Sequence, residues 1–330
     1  MPRQPRLDAP GALHHVMGRG IDGIKIFSNK RDREDFLERL ADLCRADALS
    51  VYAWALMGNH YHLLLRTGNQ QLSNSMRKLL TGYVVNYNRR HKRYGHLFQN
   101  RYKSIICEDD PYLLELTRYI HLNPLRAGIV KDLKELKGYK WCGHSSIMGM
   151  IKREWQDTDT VLAYFGKRRK RAIERYDEFV GRGIEVGSRP ELIGGGLIRS
   201  LGGWSQVLSL RRVGSKIFSD ERILGSSEFV KDVIADADEK AKETLRLTLK
   251  ISDLPSLALK VCEGEGVDEA ELRSGLRKGE VVKSRRIFCQ IAVKKMGYSG
   301  ADVARFLGIT TSAVNRLAVS DELPEVEKYI

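Results

Sequence analysis

The sequence predicts an α+β chain: a ferredoxin-like (RRM-like) antiparallel sheet with helices, followed by an all-α C-terminal region with a helix-turn-helix. Three observations carry that expectation. Short strand patterns up to residue 107 interleave with helical-period segments in the order β-α-β-β-α-β-α. Beyond residue 150 the patterns are almost entirely helical. The formal net charge is +14 over 330 residues, yet no Asp or Glu occurs between Ala48 and Cys107.

Taken in order, Ala12–Met17 and Ile24–Phe27 read as strand on either side of turns at Arg19–Gly20 and Asp22–Gly23. Residues 30–46 place Phe36, Leu37, Leu40 and Leu43 at helical spacing. Val51–Met57 and Tyr61–Arg66 are short strands joined through Gly58–Asn59. A second helix over 71–92 gathers Leu72, Met76, Leu79, Leu80, Tyr83 and Tyr87 on one side. Residues 101–107 make a strand, and 110–122 a helix stopped by Pro124. This is the order of a split βαβ domain, with its helices on one face.

Trp141 and the Gly/Lys-rich stretch from about 130 close a first domain, 1–150. Residues 151–254 read as a helical connector or accessory region, broken at Gly194–Gly196 and Gly202–Gly203, and 255–330 as a compact, strongly helical domain. The length allows two or three domains with real cores. Five cysteines, scattered and never in a C-x-x-C pair, argue against a disulfide scaffold and fit a reducing compartment. No run of apolar residues is long enough to span a bilayer, and the start lacks an apolar signal core. The expectation is a cytoplasmic protein with no membrane partner.

The acid-free stretch carries Arg66, Arg77, Lys78, Arg89, Arg90, Lys92, Arg93, Arg101 and Lys103, interleaved with Tyr83, Tyr87, Tyr94, Phe98 and Tyr102. Cations meet phosphates and aromatic faces meet unstacked bases, so this composition suits single-stranded nucleic acid. Two constellations carry chemistry. His60-Tyr61-His62 lies on a strand, so both imidazoles share a face and Tyr61 points away. Together they are half of a divalent-metal site, or simply two sheet-packed histidines. Tyr119 and Asn123 are one helical turn apart, so an amide oxygen stands near a phenol. A phenol with its ordinary pKa near 10 is a weak nucleophile and needs an activated electrophile or a nearby base. Nothing in spacing alone selects this residue among thirteen tyrosines.

MGNHYHLLLRTG (57–68) resembles the histidine–hydrophobic–histidine strand of the HUH single-strand nucleases, YKSIICEDDPYLLELTRYIHLNPLRAGIV (102–130) the strand and catalytic helix of the single-tyrosine transposases, and HHVMGRGIDGIKIF (14–27) the first strand and turn of their REP-associated branch. YIHLNPLRAG (119–128) is similar, more narrowly, to the REP-associated tyrosine transposases. Gly58 departs from that branch, which usually has Pro there. The resemblance implies that Tyr119 is the nucleophile and that His60, His62 and Asn123 bind Mg²⁺ or Mn²⁺. It further implies cleavage and rejoining of single-stranded DNA at hairpin elements through a 5′-phosphotyrosine. Also implied are a bacterial, nucleoid-associated protein and room for a homodimer. A non-catalytic DNA-binding regulator on the same scaffold, or a HUH replication or relaxase nickase, would use the same framework. No Walker-type phosphate loop occurs, and GGGLIRSLGG (194–203) reads as a connector.

Between Arg273 and Arg316 ten basic residues face two acidic ones. Ser299-Gly300 opens a helix with Val303, Ala304 and Leu307; Gly308 breaks it; Thr310-Thr311 caps a second with Val314 and Leu317. That spacing is what a helix-turn-helix requires. Residues 281–317 resemble the DNA-binding domain of bacterial replication initiators. The resemblance puts Lys283, Arg285 and Arg286 on duplex phosphates, and Thr310, Thr311, Ser312, Asn315 and Arg316 on a recognition helix.

Overall fold

The computed structural model describes residues 7, 11–68, 70–185, 187, 192, 220, 222–226, 228–237, 253–296 and 298–329. They belong to two compact units, Met1–Ile234 and Ala235–Ile330. The glycine breaks at 194–196 and 202–203 lie outside the described residues.

In the first unit, β1 (Leu13–Arg19), β2 (Leu49–Leu56), β3 (His60–Thr67) and β4 (Lys103–Cys107) form an antiparallel sheet in the order β2-β3-β1-β4. This is the ferredoxin-like order. A two-residue strand, β5 (Ile223–Leu224), adds in parallel to β4 and makes the sheet mixed. Pairing at that edge covers backbone groups that would otherwise be exposed. Ile24–Phe27 is not a strand. The 3₁₀ turn Ile21–Gly23, with Asp22 at φ 51°, takes the chain off the sheet, because β3 and β4 already occupy both sides of β1. Ile26 and Phe27 instead donate their N–H groups to Gly58 O (3.0 and 3.1 Å) and bury their side chains.

Helices cover both faces of the sheet, where one was expected. The reason is legible in Leu63-Leu64-Leu65: an unbroken apolar run on a strand needs burial on both sides. Val16, Leu63 and Leu65 lie under α1 (Lys30–Arg45) and α2 (Leu72–Arg90). Leu13, Leu64 and Ile105 lie under α3 (Asp109–Arg126). A bulge in β2 sends both Tyr52 and Ala53 to the α3 side, which keeps Val51 and Trp54 in the opposite core.

Helix α1 starts in a capping box between Asn29 and Asp32. Asp32 is fully buried, and its carboxylate also accepts from Arg90 Nε (3.0 Å) and pairs with His91 Nε2 (2.9 Å). Arg90 pairs with Asp35 as well, at 2.9 Å. Expected on DNA, Arg90 instead ties α2 to α1, since a buried carboxylate demands a partner.

Pro124 does not stop α3, which runs on to Arg126. A proline removes the N–H that the Ile120 carbonyl would accept. The Asn123 side chain substitutes for it: Nδ2 reaches Ile120 O at 3.4 Å and Tyr119 O at 3.2 Å. Beyond α3 come α4 (Leu133–Gly138), α5 (His144–Ile147), α6 (Thr158–Ala163) and α7 (Arg169–Glu185). Val161, Leu162, Ala172, Tyr176 and Val180 join the α3-side core, so residues 158–180 are part of this unit. Trp141 O accepts the Leu56 N–H (2.9 Å) and closes the β2 edge.

The second unit begins with α8 (Leu254–Glu265), capped by Asp253 and ended by Gly266 at φ 66°. After α9 (Glu269–Leu272), α10 (Gly279–Cys289) passes into a π-helical turn, Gln290–Lys295. Then α11 (Gly300–Leu307) and α12 (Thr311–Val319) are joined through Gly308 at φ 69°. Ser299 and Thr310 cap these two helices by accepting from Asp302 N and Ala313 N. Val303, Ala304, Leu307 and Val314 are buried with Ile287 and Phe288. All five cysteines are free thiols, and no helix among the described residues is long and apolar enough to cross a membrane.

Candidate active site

Strand β3 presents its histidines as alternation requires. Tyr61 is buried on the α1/α2 side, where a Cβ on Gly18 would collide with its ring. His60 and His62 turn to the α3 side, their ring centroids 5.3 Å apart. His60 Nδ1 lies 2.7 Å from Asn59 Oδ1, which only an N–H on that nitrogen can satisfy. His62 Nδ1 lies 3.1 Å from His15 Nε2 on the neighbouring strand β1. Each histidine therefore has its Nδ1 engaged, which fixes the ring and leaves Nε2 for a ligand. Burial holds His60 below the ordinary imidazole range, helped by the Arg19 charge. It holds His62 well below that range, with His15 and His60 adding to the effect. Both are neutral near pH 7, the form that ligates a cation.

Helix α3 brings Tyr119 against them. Its ring, 8% exposed, meets His62 edge-on at 6.0 Å and His15 at 6.2 Å. The Arg126 guanidinium stands 5.4 Å from the same ring. His60, Tyr119, Asn123 and Arg126 line one cleft of about 600 Å³, with His62 behind Tyr119. With Asn123 Nδ2 turned to the helix carbonyls, Oδ1 is the atom left for the cleft. Among the described residues no group of three His, Cys, Asp or Glu side chains could hold a metal ion. The available donors are two imidazole nitrogens and one amide oxygen, a set that fits a divalent cation keeping water in its shell.

Sequence reasoning missed His15 and Arg126. His15 sits in the quoted HHVMGRG segment and shares the face of Leu13 and Met17; Arg126 follows Tyr119 by two helical turns. Between Tyr119 and Asn123, His121 faces away into the core. Its Nδ1 is 2.7 Å from Tyr176 Oη, and His144 Nδ1 is 2.9 Å from the same oxygen. One hydroxyl carries one proton, so Tyr176 donates to one imidazole and accepts from the other. This buried set fastens α3 to α5 and α7.

The expected DNA residues divide. Arg77, Lys78, Arg89, Lys92, Arg101 and Lys103 are exposed, and Arg93 is half-buried. On α12, Thr311, Ser312, Asn315 and Arg316 are exposed, although Asn315 packs against Gly300, where a Cβ would collide with it. Thr310 is engaged as a helix cap. The expected phosphate cluster does not survive. Arg285 is 5% exposed and donates to the carbonyls of Leu272, Leu276, Glu271 and Ser274 at 2.5–2.8 Å. Lys283 pairs with Glu325 (2.7 Å) and Glu265 (3.1 Å), and Arg286 donates to Asp321 O.

Comparison with known proteins finds two likenesses. Residues 12–123, about a third of the chain, match the family model described as transposase IS200 like. Among solved structures, the chain is similar to a REP-associated tyrosine transposase bound to a REP hairpin. The likeness has 12% identity and a TM-score of 0.35, and covers 48% of this chain and 98% of that one. No curated protein matches.

Proposed function

We propose that the first unit cleaves and rejoins single-stranded DNA at hairpin elements, with Tyr119 as nucleophile. The observation that carries this reading is the meeting of Tyr119 with His62 at 6.0 Å, beside the cleft that Tyr119 lines with His60 and Asn123, side chains from a strand and a distant helix. A divalent cation, Mg²⁺ or Mn²⁺, would be held by His60 Nε2, His62 Nε2 and Asn123 Oδ1 and would supply positive charge to polarise a phosphate. The phenol oxygen loses its proton and forms a bond to phosphorus as the P–O3′ bond breaks, giving a 5′-phosphotyrosine; the departing 3′-oxygen takes up one proton, so none is gained or lost overall. Rejoining is the reverse attack by a 3′-OH, so no nucleotide triphosphate is consumed. Arg126 offers a fixed cation beside the phenol. His15 orients His62, and Asn59 orients His60. The test is incubation with a hairpin oligonucleotide and Mn²⁺, followed by denaturing electrophoresis. A DNA-linked protein band is expected; its absence under all metals overturns the reading.

His60→Ala and His62→Ala should each remove metal-dependent nicking, and EDTA should stop cleavage but not binding. Tyr61→Phe should nick normally, because that ring lies in the opposite core. Cleavage persisting in chelator would overturn the metal assignment.

For the second unit we propose a duplex DNA reader, supported by the exposed Thr311, Ser312 and Arg316 on α12. Truncation near residue 250 should leave nicking of a short hairpin intact while weakening binding to long duplex flanks, most strongly at low salt. Gel shifts of full-length and truncated protein decide it; equal retention of long duplexes refutes the reader.

A further inference from the structure

The acid-free stretch builds a second feature outside the catalytic cleft. Between α2 and the chain at 95–102 runs a groove of about 820 Å³, floored by Met76, Leu80 and Phe98, with Arg77 and Arg101 along it. No carboxylate lines it, and the first turn of α2, at one end, carries no acidic residue. Its outer wall is fastened to the end of the sheet that holds the active site. Gln99 N donates to Arg19 O (2.9 Å), Ile21 N donates to Leu97 O (3.0 Å), and Arg19 stands opposite His60 in the β1–β3 register.

Beside this groove the turn 91–96 holds Tyr94 at 92% exposure. Isolated exposed aromatics are ordinary and need no explanation. This one is set apart by how firmly its backbone is held. Lys92 (φ 48°) and Gly95 (φ 83°) take left-handed conformations. Arg93 N donates to Asn88 O (2.9 Å), Asn88 Nδ2 to Gly95 O (3.0 Å), and Arg93 Nη1 to His96 O (2.9 Å). His91 anchors the turn to buried Asp32 at 2.9 Å. A ring offered to solvent on a pinned turn, with Lys92 and Arg93 beside it, can stack on a base at little entropic cost. The groove cations can take the adjoining phosphates.

We propose that this turn and groove bind an unpaired nucleotide of the DNA substrate beyond the catalytic cleft, with Tyr94 stacked on its base and Arg77 and Arg101 on its phosphates. The proposal rests on the single-strand DNA reading above and adds to it the path of the strand. Because α2 covers the sheet face opposite α3, the strand must round the sheet end marked by Arg19 and His60.

The experiment uses the full chain and hairpin oligonucleotides with single-stranded flanks, in which 2-aminopurine replaces one flank base at a time. Quenching is expected at a particular flank position, abolished by Tyr94→Ala and kept by Tyr94→Phe. Tyr94→Ala should weaken binding of the flanked hairpin about tenfold. Arg77→Ala and Arg101→Ala should weaken it in a salt-dependent way. Tyr164→Ala, at an exposed tyrosine elsewhere in the unit, serves as the control and should change nothing. Quenching at no flank position, or quenching that survives Tyr94→Ala, overturns the proposal. Failure of the broader reading is separate: wild-type protein would then form no covalent adduct with the flanked hairpin.

Discussion

Tyr119→Phe is expected to reduce covalent adduct and nicking by several orders of magnitude, the scale on which loss of a nucleophile acts. It should leave hairpin affinity within roughly threefold of wild type, since only one hydroxyl is lost. The ring remains in contact with His15, His62 and Arg126, so the cleft keeps its shape. Phe therefore separates chemistry from packing, which Ala at this largely buried position would not. Adduct formation and gel-shift affinity should be measured on the same preparation. Undiminished adduct in the Phe variant would refute the assignment and turn attention to Tyr112, on the same helix.

Arg285→Ala is expected to destabilise the second unit strongly, because the side chain is structural and not a surface phosphate contact. The guanidinium is buried and donates to four backbone carbonyls, those of Glu271, Leu272, Ser274 and Leu276, which bracket the chain between α9 and α10. Removing it takes the guanidinium donor from the carbonyls of Leu272, Ser274 and Leu276, while Glu271 O keeps Ser274 N and Oγ, a loss of about 3 kcal/mol. For a unit of this size that lowers Tm by more than about 10 °C. Arg285→Lys should be little better, because one ammonium cannot reproduce the planar fork. Calorimetry of the full chain reads the result. A variant with unchanged melting and weakened duplex binding would restore Arg285 as a phosphate contact.

The strand and helix alternation, the helix expected over 30–46 and found at Lys30–Arg45, and the capped pair around Gly308 were legible because periodicity and capping act locally. The parity of His60 and His62 was legible for the same reason. Arg285 was not. Its sequence neighbourhood, Lys283-Ser284-Arg285-Arg286, is that of a basic surface, and only the packing of α9 against α10 buries the middle cation. Arg90 misled in the same way, because its partner Asp32 lies far back in the chain. Pro124 misled differently: the rule that proline ends a helix held no place for an adjacent asparagine whose amide replaces the missing N–H.

By itself the sequence determined which residue types share a face, where helices begin and end at capped termini, and that a long stretch would repel no phosphate. Those properties depend on neighbours within a few positions. Tertiary structure alone decided that Tyr119 faces His62 and that His15 and Arg126 join them. It also decided which cations stay in solvent and which are drawn into the core. Each of those outcomes depends on side chains distant in sequence, and burial makes the choice: a charge or polar group left inside must find a partner, wherever in the chain that partner lies.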